Sequence, residues 1–199
     1  MMNFTRLSSS TKTRVLLCIG LLFMNIQLCM GQSTAGTLAV RAYGNANELV
    51  TNHRDQLLPT TTNPLLVYIQ FYEGNFTEIQ NLNRIGAHET SWYDDKLIWE
   101  MRTDNLNMLN RRLFYFRHYD APRCVMKAHA QYVRCEGLAG NPGAKHKFDL
   151  SQTASYAYGD WMVFDSVHYG YFEYDPTKPE HLQPGTGGSG SYVRIHVIV

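Results

Sequence analysis

The chain has 199 residues and a formal net charge of +1, with 44% hydrophobic and 18% charged residues. This near-neutral balance gives no indication of nucleic-acid binding, which usually requires a strongly basic surface. The length is enough for one domain with a full hydrophobic core, so the fold does not depend on a dense set of disulfides.

The first residues have the pattern of a secretory signal peptide. A short basic segment precedes an apolar run at residues 15–24, and polar residues interrupt the sequence before the small residue Gly31. A transmembrane helix needs about 20 apolar residues, and this run is shorter. We therefore predict a signal peptide at residues 1–31 and a secreted, extracellular domain at residues 32–199.

Removal of this leader changes both the charge and the cysteine content. The leader contains three basic residues and no acidic one, so the net charge becomes −2. Later hydrophobic stretches are interrupted by polar residues, so no membrane span is expected. Of the four cysteines, Cys124 and Cys135 remain, and an oxidising compartment favours a disulfide between them. Asn75 begins an Asn-Phe-Thr sequon and is the predicted glycosylation site.

Short alternating segments, typical of β-strands, follow one another along the mature chain. Residues 44–53 are expected to hold a short helix, before a cluster of helix-breaking residues at 57–64. Next, Val67, Ile69 and Phe71 share one face of an alternating run, which predicts a half-buried strand. The same period recurs at residues 96–101, 113–117, 131–134, 161–164 and 192–198. No long helix or internal repeat is visible, so the pattern indicates an antiparallel sandwich or barrel.

No constellation of catalytic or metal-binding residues is visible in the sequence. The eight histidines are scattered, and none has a cysteine or carboxylate at the spacing of a metal site. The sequence has neither a Gly-x-Ser-x-Gly elbow nor a phosphate-binding loop, and the two mature cysteines are expected to be paired. We therefore predict no enzymatic activity, no catalytic residue, no metal and no cofactor.

Aromatic residues are concentrated in the C-terminal third of the chain. One interpretation is an ordinary β-sheet core and surface, because strands favour aromatic side chains. The other is a cage of rings that attracts a small cationic ligand. The sequence leaves both interpretations open. The residues concerned are Tyr156, Tyr158, Trp161, Phe164, Tyr169, Tyr171, Phe172, Tyr174 and Tyr192.

A tryptophan motif points to a family. Trp92, Asp94, Leu97 and Trp99 match the pattern Trp-x-Asp-x-x-Leu-x-Trp. With this motif, the stretch at residues 48–67 and the later cysteine pair, the chain resembles a domain of the Cys-loop ion channels. These are the pentameric neurotransmitter-gated channels, and the domain is their extracellular ligand-binding domain, which the soluble acetylcholine-binding proteins share. The resemblance extends over nearly the whole mature chain, and the tryptophan motif is its most specific part.

The resemblance implies a fold, an assembly and a site. The fold would be all-β, an immunoglobulin-like twisted antiparallel β-sandwich with a short N-terminal helix. The assembly would be a homo- or hetero-oligomer, expected to be a pentamer, that binds a small amine-like cationic ligand at subunit interfaces. The tyrosines that match the family's aromatic positions are Tyr171, Tyr174 and Tyr192, and the disulfide from Cys124 to Cys135 would close a shortened signature loop. Because no membrane span is expected, the protein would not form a pore.

The alternative is an extracellular structural or interaction protein without a small-molecule ligand. Residues 159–164, followed by Tyr169 and Gly170, resemble a βγ-crystallin Greek-key motif. This second resemblance covers a short part of the chain. It implies a β-sandwich that acts through its surface.

Overall fold

A computed structural model describes residues 39–72, 74–88, 94–138, 140–156 and 159–199 of the chain. The predicted signal peptide and Trp92 lie outside these residues. Residues Val40–Val199 form one compact unit, which lies within the predicted mature domain.

Two helices and fifteen strands make up the described part of the chain. The helices are α1 (Ala46–Leu57) and α2 (Leu106–Asn110), and 3₁₀ turns lie at Asn81–Asn83, Asp95–Leu97, Ala144–His146 and Ser189–Ser191. The strands are β1 (Val40–Tyr43), β2 (Leu65–Phe71), β3 (Phe76–Ile79), β4 (Ile85–His88), β5 (Trp99–Arg102), β6 (Leu113–His118), β7 (Cys124–Ala128), β8 (Val133–Gly137), β9 (Phe148–Asp149), β10 (Thr153–Tyr156), β11 (Gly159–Val163), β12 (Asp165–Ser166), β13 (Gly170–Glu173), β14 (Gln183–Pro184) and β15 (Tyr192–Ile198).

Helix α1 begins at a capping residue and ends before a proline. Asn45 has an extended backbone, and its side-chain oxygen accepts a 2.9 Å hydrogen bond from the main-chain N–H of Asn47. Leu58 is extended again, as residues that precede a proline tend to be, and Pro59 follows it. Leu49 is fully buried and fixes the helix to the core. The short N-terminal helix expected from the sequence is confirmed.

Strand β2 shows the alternation that the sequence predicts. Val67, Ile69 and Phe71 are fully buried and belong to the main core. On the opposite face, Tyr68 is fully buried as well, because a second, smaller apolar cluster covers it. That cluster consists of Tyr68, Phe76, Leu97 and Ile98. This part of the strand is therefore buried on both faces, and not half-buried as the alternation alone predicts.

Strand pairing closes the sheet into a barrel. Around the ring, β2 pairs with β5, β5 with β6, β6 with β9, and β9 with β12. Phe164 alone separates β12 from β11, and β11 pairs with β15, which returns to β2. All of these pairs are antiparallel. A closed ring leaves no unpaired edge between its strands.

The ring consists of three copies of one four-strand arrangement. Each copy has a barrel strand, a two-strand hairpin and a second barrel strand, and the hairpins are β3–β4, β7–β8 and β13–β14. In each copy a 3₁₀ turn stands just before the second barrel strand, at Asp95–Leu97, Ala144–His146 and Ser189–Ser191. Six barrel strands and three hairpins in this order form a β-trefoil.

The three hairpins also contact one another. The main-chain N–H of Leu182, between β13 and β14, donates a 2.8 Å hydrogen bond to the carbonyl oxygen of Ile85 on β4. Arg84, beside β4, forms a β-bridge with Arg134 on β8. The first hairpin therefore binds to both of the others through main-chain contacts.

Aromatic side chains from all three copies meet in the core. Phe164 of the third copy stacks on Phe148 of the second with ring centres 4.5 Å apart. It also contacts Phe71 of the first copy at 5.6 Å and Phe116 of the second at 6.3 Å. All four rings are fully buried. Rings of this size each bury about 150–250 Å² of surface, so this contact is a major part of what holds the copies together.

The predicted all-β antiparallel fold with a short N-terminal helix is confirmed, but the strands are arranged differently from the immunoglobulin-like sandwich that the resemblance implied. A sandwich has two facing sheets, whereas here the barrel strands form one closed ring. The structure also contains an internal repeat that is not visible in the sequence. The reason is that what the copies share is the order and pairing of their strands, which becomes visible only in the folded chain.

Candidate functional site

The three tyrosines predicted to bind a ligand lie in different environments. Tyr192 begins β15, and its ring centre is 5.9 Å from that of Tyr156. The ring of Tyr171 packs against Gly187, where an added Cβ would lie 3.0 Å from it. Tyr174 packs against the main core. Of the three, Tyr192 therefore joins a larger group of rings.

This group, named here the aromatic cluster, consists of Tyr72, Tyr156, Trp161 and Tyr192. The ring centres are 4.6 Å apart for Tyr72 and Tyr156, 5.1 Å for Tyr72 and Trp161, and 5.9 Å for Tyr156 and Tyr192. All three contacts are edge-to-face, which aromatic quadrupoles favour. Strand pairing brings the rings together, because β11 carries Trp161 and pairs with both β10 and β15. Tyr156 is 45% exposed, so the cluster presents ring surface to solvent.

A guanidinium group covers the buried ring of the cluster. Cζ of Arg194 lies 4.1 Å from the centre of the Trp161 ring, and Nε of Arg194 donates a 3.2 Å hydrogen bond to the carbonyl oxygen of Asp160. A cation over an indole face is the arrangement expected for an amine ligand in an aromatic cage. Here the cation belongs to the chain. It occupies that face, and its charge opposes the approach of a second cation.

An open cleft of about 490 Å³ lies beside the aromatic cluster. Its charged lining residues are Glu48, Asp160 and Arg194. The carboxylate of Asp160 accepts a 2.8 Å hydrogen bond from the hydroxyl of Ser155, and Glu48 forms an exposed ion pair with Arg41. The cleft therefore presents carboxylate acceptors and a guanidinium donor, and Arg194 connects it to Trp161 of the aromatic cluster.

Two glycines allow the chain segments around this cleft to approach closely. An ideal Cβ at Gly44 would lie 1.6 Å from the carbonyl oxygen of Asp160. Gly159 begins β11 with a φ of +100°, in the region that glycine adopts without steric cost. A side chain at either position would displace the segments that carry Asp160 and Arg194. The cleft therefore depends on glycine at both positions.

The sequence does not identify Tyr72, Asp160 or Arg194 as site residues. Alternation along residues 192–198 places Arg194 on the same strand face as Tyr192, and this is the signal that the sequence offers. For Tyr72 there is no such signal. It follows β2, and its position near the others depends on the pairing of β2 with β15.

The described part of the tryptophan motif serves the fold. Trp92 itself lies outside the described residues. Asp94 caps a 3₁₀ turn by accepting a 3.0 Å hydrogen bond from a main-chain N–H two residues later. Leu97 and Trp99 are fully buried, and the indole N–H of Trp99 donates a 3.3 Å hydrogen bond to the carbonyl oxygen of Thr77. These contacts stabilise the first copy of the repeat.

The structure contains the predicted disulfide, whereas the predicted glycosylation site is nearly buried. Cys124 and Cys135 are bonded across β7 and β8, with Cα atoms 5.0 Å apart. Asn75 lies between β2 and β3 and is 9% exposed, and Thr77 of the sequon is fully buried. Glycosylation at Asn75 stays a prediction.

One carboxylate on the β7–β8 hairpin is surrounded by positive groups. Glu136 accepts hydrogen bonds from Lys127 and Arg134, and Nε2 of His129 lies 3.0 Å from Oε1 of Glu136. Burial alone would raise the pKa of Glu136, but the hydrogen bonds and charges of Lys127 and Arg134 outweigh it and lower the pKa to about 2. The carboxylate therefore stays ionised at neutral pH and links the two strands.

A buried histidine lies near the aromatic cluster on β15. His196 is 6% exposed, and its Nε2 lies 2.6 Å from Oε1 of Gln70 on β2. Burial, and then the positive charge of Arg194, lower the pKa of His196 to about 4. The imidazole is therefore neutral at pH 7.

Within the described ranges, no three His, Cys, Asp or Glu residues lie close enough together to hold a metal ion. In the same ranges, no helix has the length and apolar character needed to cross a membrane.

Comparisons with known proteins identify a similar fold but no family. No protein-family model matches the chain, and no curated protein matches it either. Among solved structures, a mosquitocidal holotoxin matches 70% of this chain with a TM-score of 0.52 and 8% sequence identity. The chain spans 18% of the length of that holotoxin chain. At this identity, the likeness shows the fold alone.

Two smaller proteins match with lower scores. ThreeFoil, a designed 3-fold symmetric protein, has a TM-score of 0.48 and 8% identity over 65% of this chain and 96% of its own. SeviL, solved bound to an asialo-GM1 saccharide, has a TM-score of 0.47 and 13% identity over 66% of this chain and 96% of its own.

Proposed function

We propose that this protein is a non-enzymatic extracellular interaction protein that binds a saccharide at the aromatic cluster and the adjoining cleft. One observation carries the proposal. The half-exposed ring of Tyr156 lies in the same cluster as Trp161, and Arg194 joins that cluster to the cleft that Asp160 lines. Arg194 therefore connects exposed ring surface with the charged hydrogen-bonding groups of the cleft.

A saccharide has two kinds of surface, and the site has a partner for each. The C–H faces of a sugar ring are apolar and pack against aromatic rings such as that of Tyr156. The hydroxyl groups need acceptors and donors, which the carboxylate of Asp160 and the guanidinium of Arg194 supply. The cleft volume of about 490 Å³ falls in the usual range for small-ligand sites, roughly 300–1,000 Å³.

An amine-like cationic ligand suits this site less well than a saccharide. Arg194 already lies over the face of Trp161 that such a ligand would use. Tyr171 packs against Gly187 and Tyr174 against the core, so these two of the tyrosines implied by the channel resemblance take part in packing within the chain. A pentamer that binds ligand between subunits stays a prediction, which light scattering on the purified protein tests.

A glycan array followed by calorimetry tests the proposal. We expect the secreted protein to bind a neutral saccharide, and Tyr156→Ala to weaken that binding at least tenfold because the exposed ring is lost. Tyr119→Ala is the matched control, since Tyr119 is 46% exposed, close to the 45% of Tyr156, and is not a member of the aromatic cluster. Asp160→Asn is expected to weaken binding as well, because it removes a charged acceptor.

Two results contradict the proposal. One is an array on which no saccharide binds the wild-type protein. The other is equal binding by the Tyr156→Ala and Tyr119→Ala variants, which would show that the aromatic cluster does not contact the ligand. Circular dichroism on both variants confirms that each is folded before binding is compared.

A further inference from the structure

A second cavity, of about 320 Å³, shares no lining residue with the cleft beside the aromatic cluster. It is named here the arginine cavity, because Arg102, Arg117 and Arg123 line it. Strand pairing places the first two side by side, since Arg102 lies opposite Tyr115 and Glu100 lies opposite Arg117 on β5 and β6. Arg123 comes from the segment just before β7.

Positive charge in the arginine cavity exceeds negative charge. Oε2 of Glu100 accepts a 3.3 Å hydrogen bond from Nε of Arg102 and a 2.7 Å hydrogen bond from Nε of Arg117, so two guanidinium groups share one carboxylate. Arg123 is exposed and makes no ion pair with a described residue. Three arginines and one glutamate leave a surplus of two positive charges. The side chains of Arg102 and Glu100 are 14% and 13% exposed, so water screens their charges less than it would at the open surface.

The rest of the lining supplies neutral donors and an apolar wall. Burial, opposed in part by Arg102, raises the pKa of Tyr115, so its phenol stays protonated and can donate a hydrogen bond. Asn141, on the loop after β8, adds an amide. The apolar lining residues are Pro122, Val125, Leu138 and Pro142.

The disulfide ties together the two walls of this cavity. Cys124 directly follows Arg123, and in the β7–β8 pair it lies opposite Gly137, just before the loop that carries Asn141. Its bonded partner, Cys135, lies on β8. The bond therefore limits the separation of the segments that carry Arg123 and Asn141.

We propose that the arginine cavity binds a tetrahedral oxyanion, a sulfate or phosphate group, with Arg117 and Arg123 as direct ligands. The planar guanidinium fork of Arg123 donates two parallel hydrogen bonds to such a group, and Arg117, whose Nε is bonded to Glu100, donates through its remaining N–H groups. The surplus of two charges matches an anion of one or two negative charges. The phenol of Tyr115 and the amide of Asn141 complete the set of donors. The proposal does not depend on saccharide binding at the aromatic cluster.

Calorimetry with the secreted protein tests this site, with sodium sulfate and sodium phosphate as probes and sodium chloride to hold ionic strength constant. We expect one anion to bind per chain and Arg123→Gln to weaken its binding at least tenfold. Arg111→Gln is the matched control, because this substitution removes the same charge from an exposed arginine that does not line the cavity. Arg117→Gln is a second variant that is expected to weaken binding on its own.

Nuclear magnetic resonance tests anion binding at these arginines directly, without a variant. The side-chain Nε–H signals of Arg117 and Arg123 are expected to shift on addition of the anion, while that of Arg111 stays in place. The proposal is overturned if neither anion binds, if the two cavity arginines do not shift, or if Arg123→Gln and Arg111→Gln weaken binding equally.

A pair of saccharides distinguishes the source of the anion. A sulfated disaccharide that binds more tightly than inorganic sulfate, while its unsulfated form does not compete, identifies an ester-borne group as the ligand. Equal or weaker binding of the sulfated form identifies the free anion. Both results support an oxyanion site, and displacement of sulfate by the unsulfated form would contradict it.

Discussion

Gly44 packs directly against the main chain of Asp160, with no space for a side chain between them. An ideal Cβ on Gly44 would lie 1.6 Å from the carbonyl oxygen of Asp160 and 2.3 Å from its carbonyl carbon. Asp160 belongs to β11, which is paired with β10 on one side and β15 on the other. Its main chain therefore cannot move without breaking strand pairing. The contact joins the segment before α1 to the third copy of the repeat.

We therefore expect Gly44→Ala to lower the free energy of unfolding by about 3 kcal/mol, the upper end of the usual cost of overpacking. Urea unfolding measures the change. Gly143→Ala is the matched control, because no atom lies within 4 Å of an added Cβ there and φ is −81°. The control is expected to change stability by less than about 0.5 kcal/mol. Equal unfolding midpoints for the two variants would show that the contact with Asp160 is not tight.

Loss of the guanidinium over Trp161 is expected to weaken the third copy of the repeat. Arg194→Gln removes the cation–π contact, so we expect a loss of about 1 kcal/mol in the free energy of unfolding. Arg194→Lys keeps the charge and should lose less. Arg111→Gln controls for the change in net charge. The indole N–H signal of Trp161 is expected to move in Arg194→Gln and to stay in place in the control.

The buried imidazole of His196 predicts a loss of stability in mild acid. Its pKa is about 4 in the folded protein, against about 6.5 in the unfolded chain. As the pH falls from 6.5 to 4, the unfolded chain takes up a proton that the folded protein does not, so the free energy of unfolding decreases by about 3 kcal/mol. Urea unfolding at several pH values measures this decrease.

His196→Gln is expected to reduce the slope between pH 6.5 and 4 without abolishing it, because burial also lowers the pKa of His129 and of His146. His168→Gln, which removes an exposed histidine, should leave the slope in place. A separate decrease below pH 4.5 is expected from Glu136, whose pKa of about 2 means that its contribution is lost between pH 4.5 and 2. An unchanged slope in His196→Gln would show that another group causes the decrease in the free energy of unfolding between pH 6.5 and 4.

Loss of the disulfide is expected to lower stability and to loosen the arginine cavity. The bond joins residues with a sequence separation of 11, and a closed loop of that size contributes about 3 kcal/mol in the chain-entropy model. The double variant Cys124→Ala, Cys135→Ala should therefore unfold at a lower urea concentration, as should the reduced wild-type protein. It should also bind sulfate more weakly. A double variant as stable as the oxidised protein would contradict the prediction.

Several local features were predictable from the sequence. The alternation of Val67, Ile69 and Phe71 correctly indicates which face of β2 enters the core, because side-chain direction along a strand is set by the backbone itself. Helix α1 was also predictable from a local signal, since a cluster of helix-breaking residues that contains Pro59 follows it in sequence. The disulfide followed from the two cysteines of the predicted mature domain.

The candidate site could not be predicted in the same way. Tyr192 was identified, but Tyr72 lies beside Tyr156 and Trp161 because β15 pairs with β2 on one side and β11 on the other. The pairing of β15 with β2 also brings His196 to Gln70, 126 residues away. Alternation indicates which way each of these side chains points, but not which strand becomes its neighbour.

Strand directions and local turns are therefore properties that short stretches of this sequence carry. Closure of the barrel, its threefold repeat and the two cavities depend on pairing between distant strands, which is selected by the packing of the whole core. The stacking of Phe164 on Phe148 and its contact with Phe71 show this directly, because side chains from all three copies meet around the aromatic ring of Phe164. Such a contact exists only when the strands of all three copies have closed into the barrel.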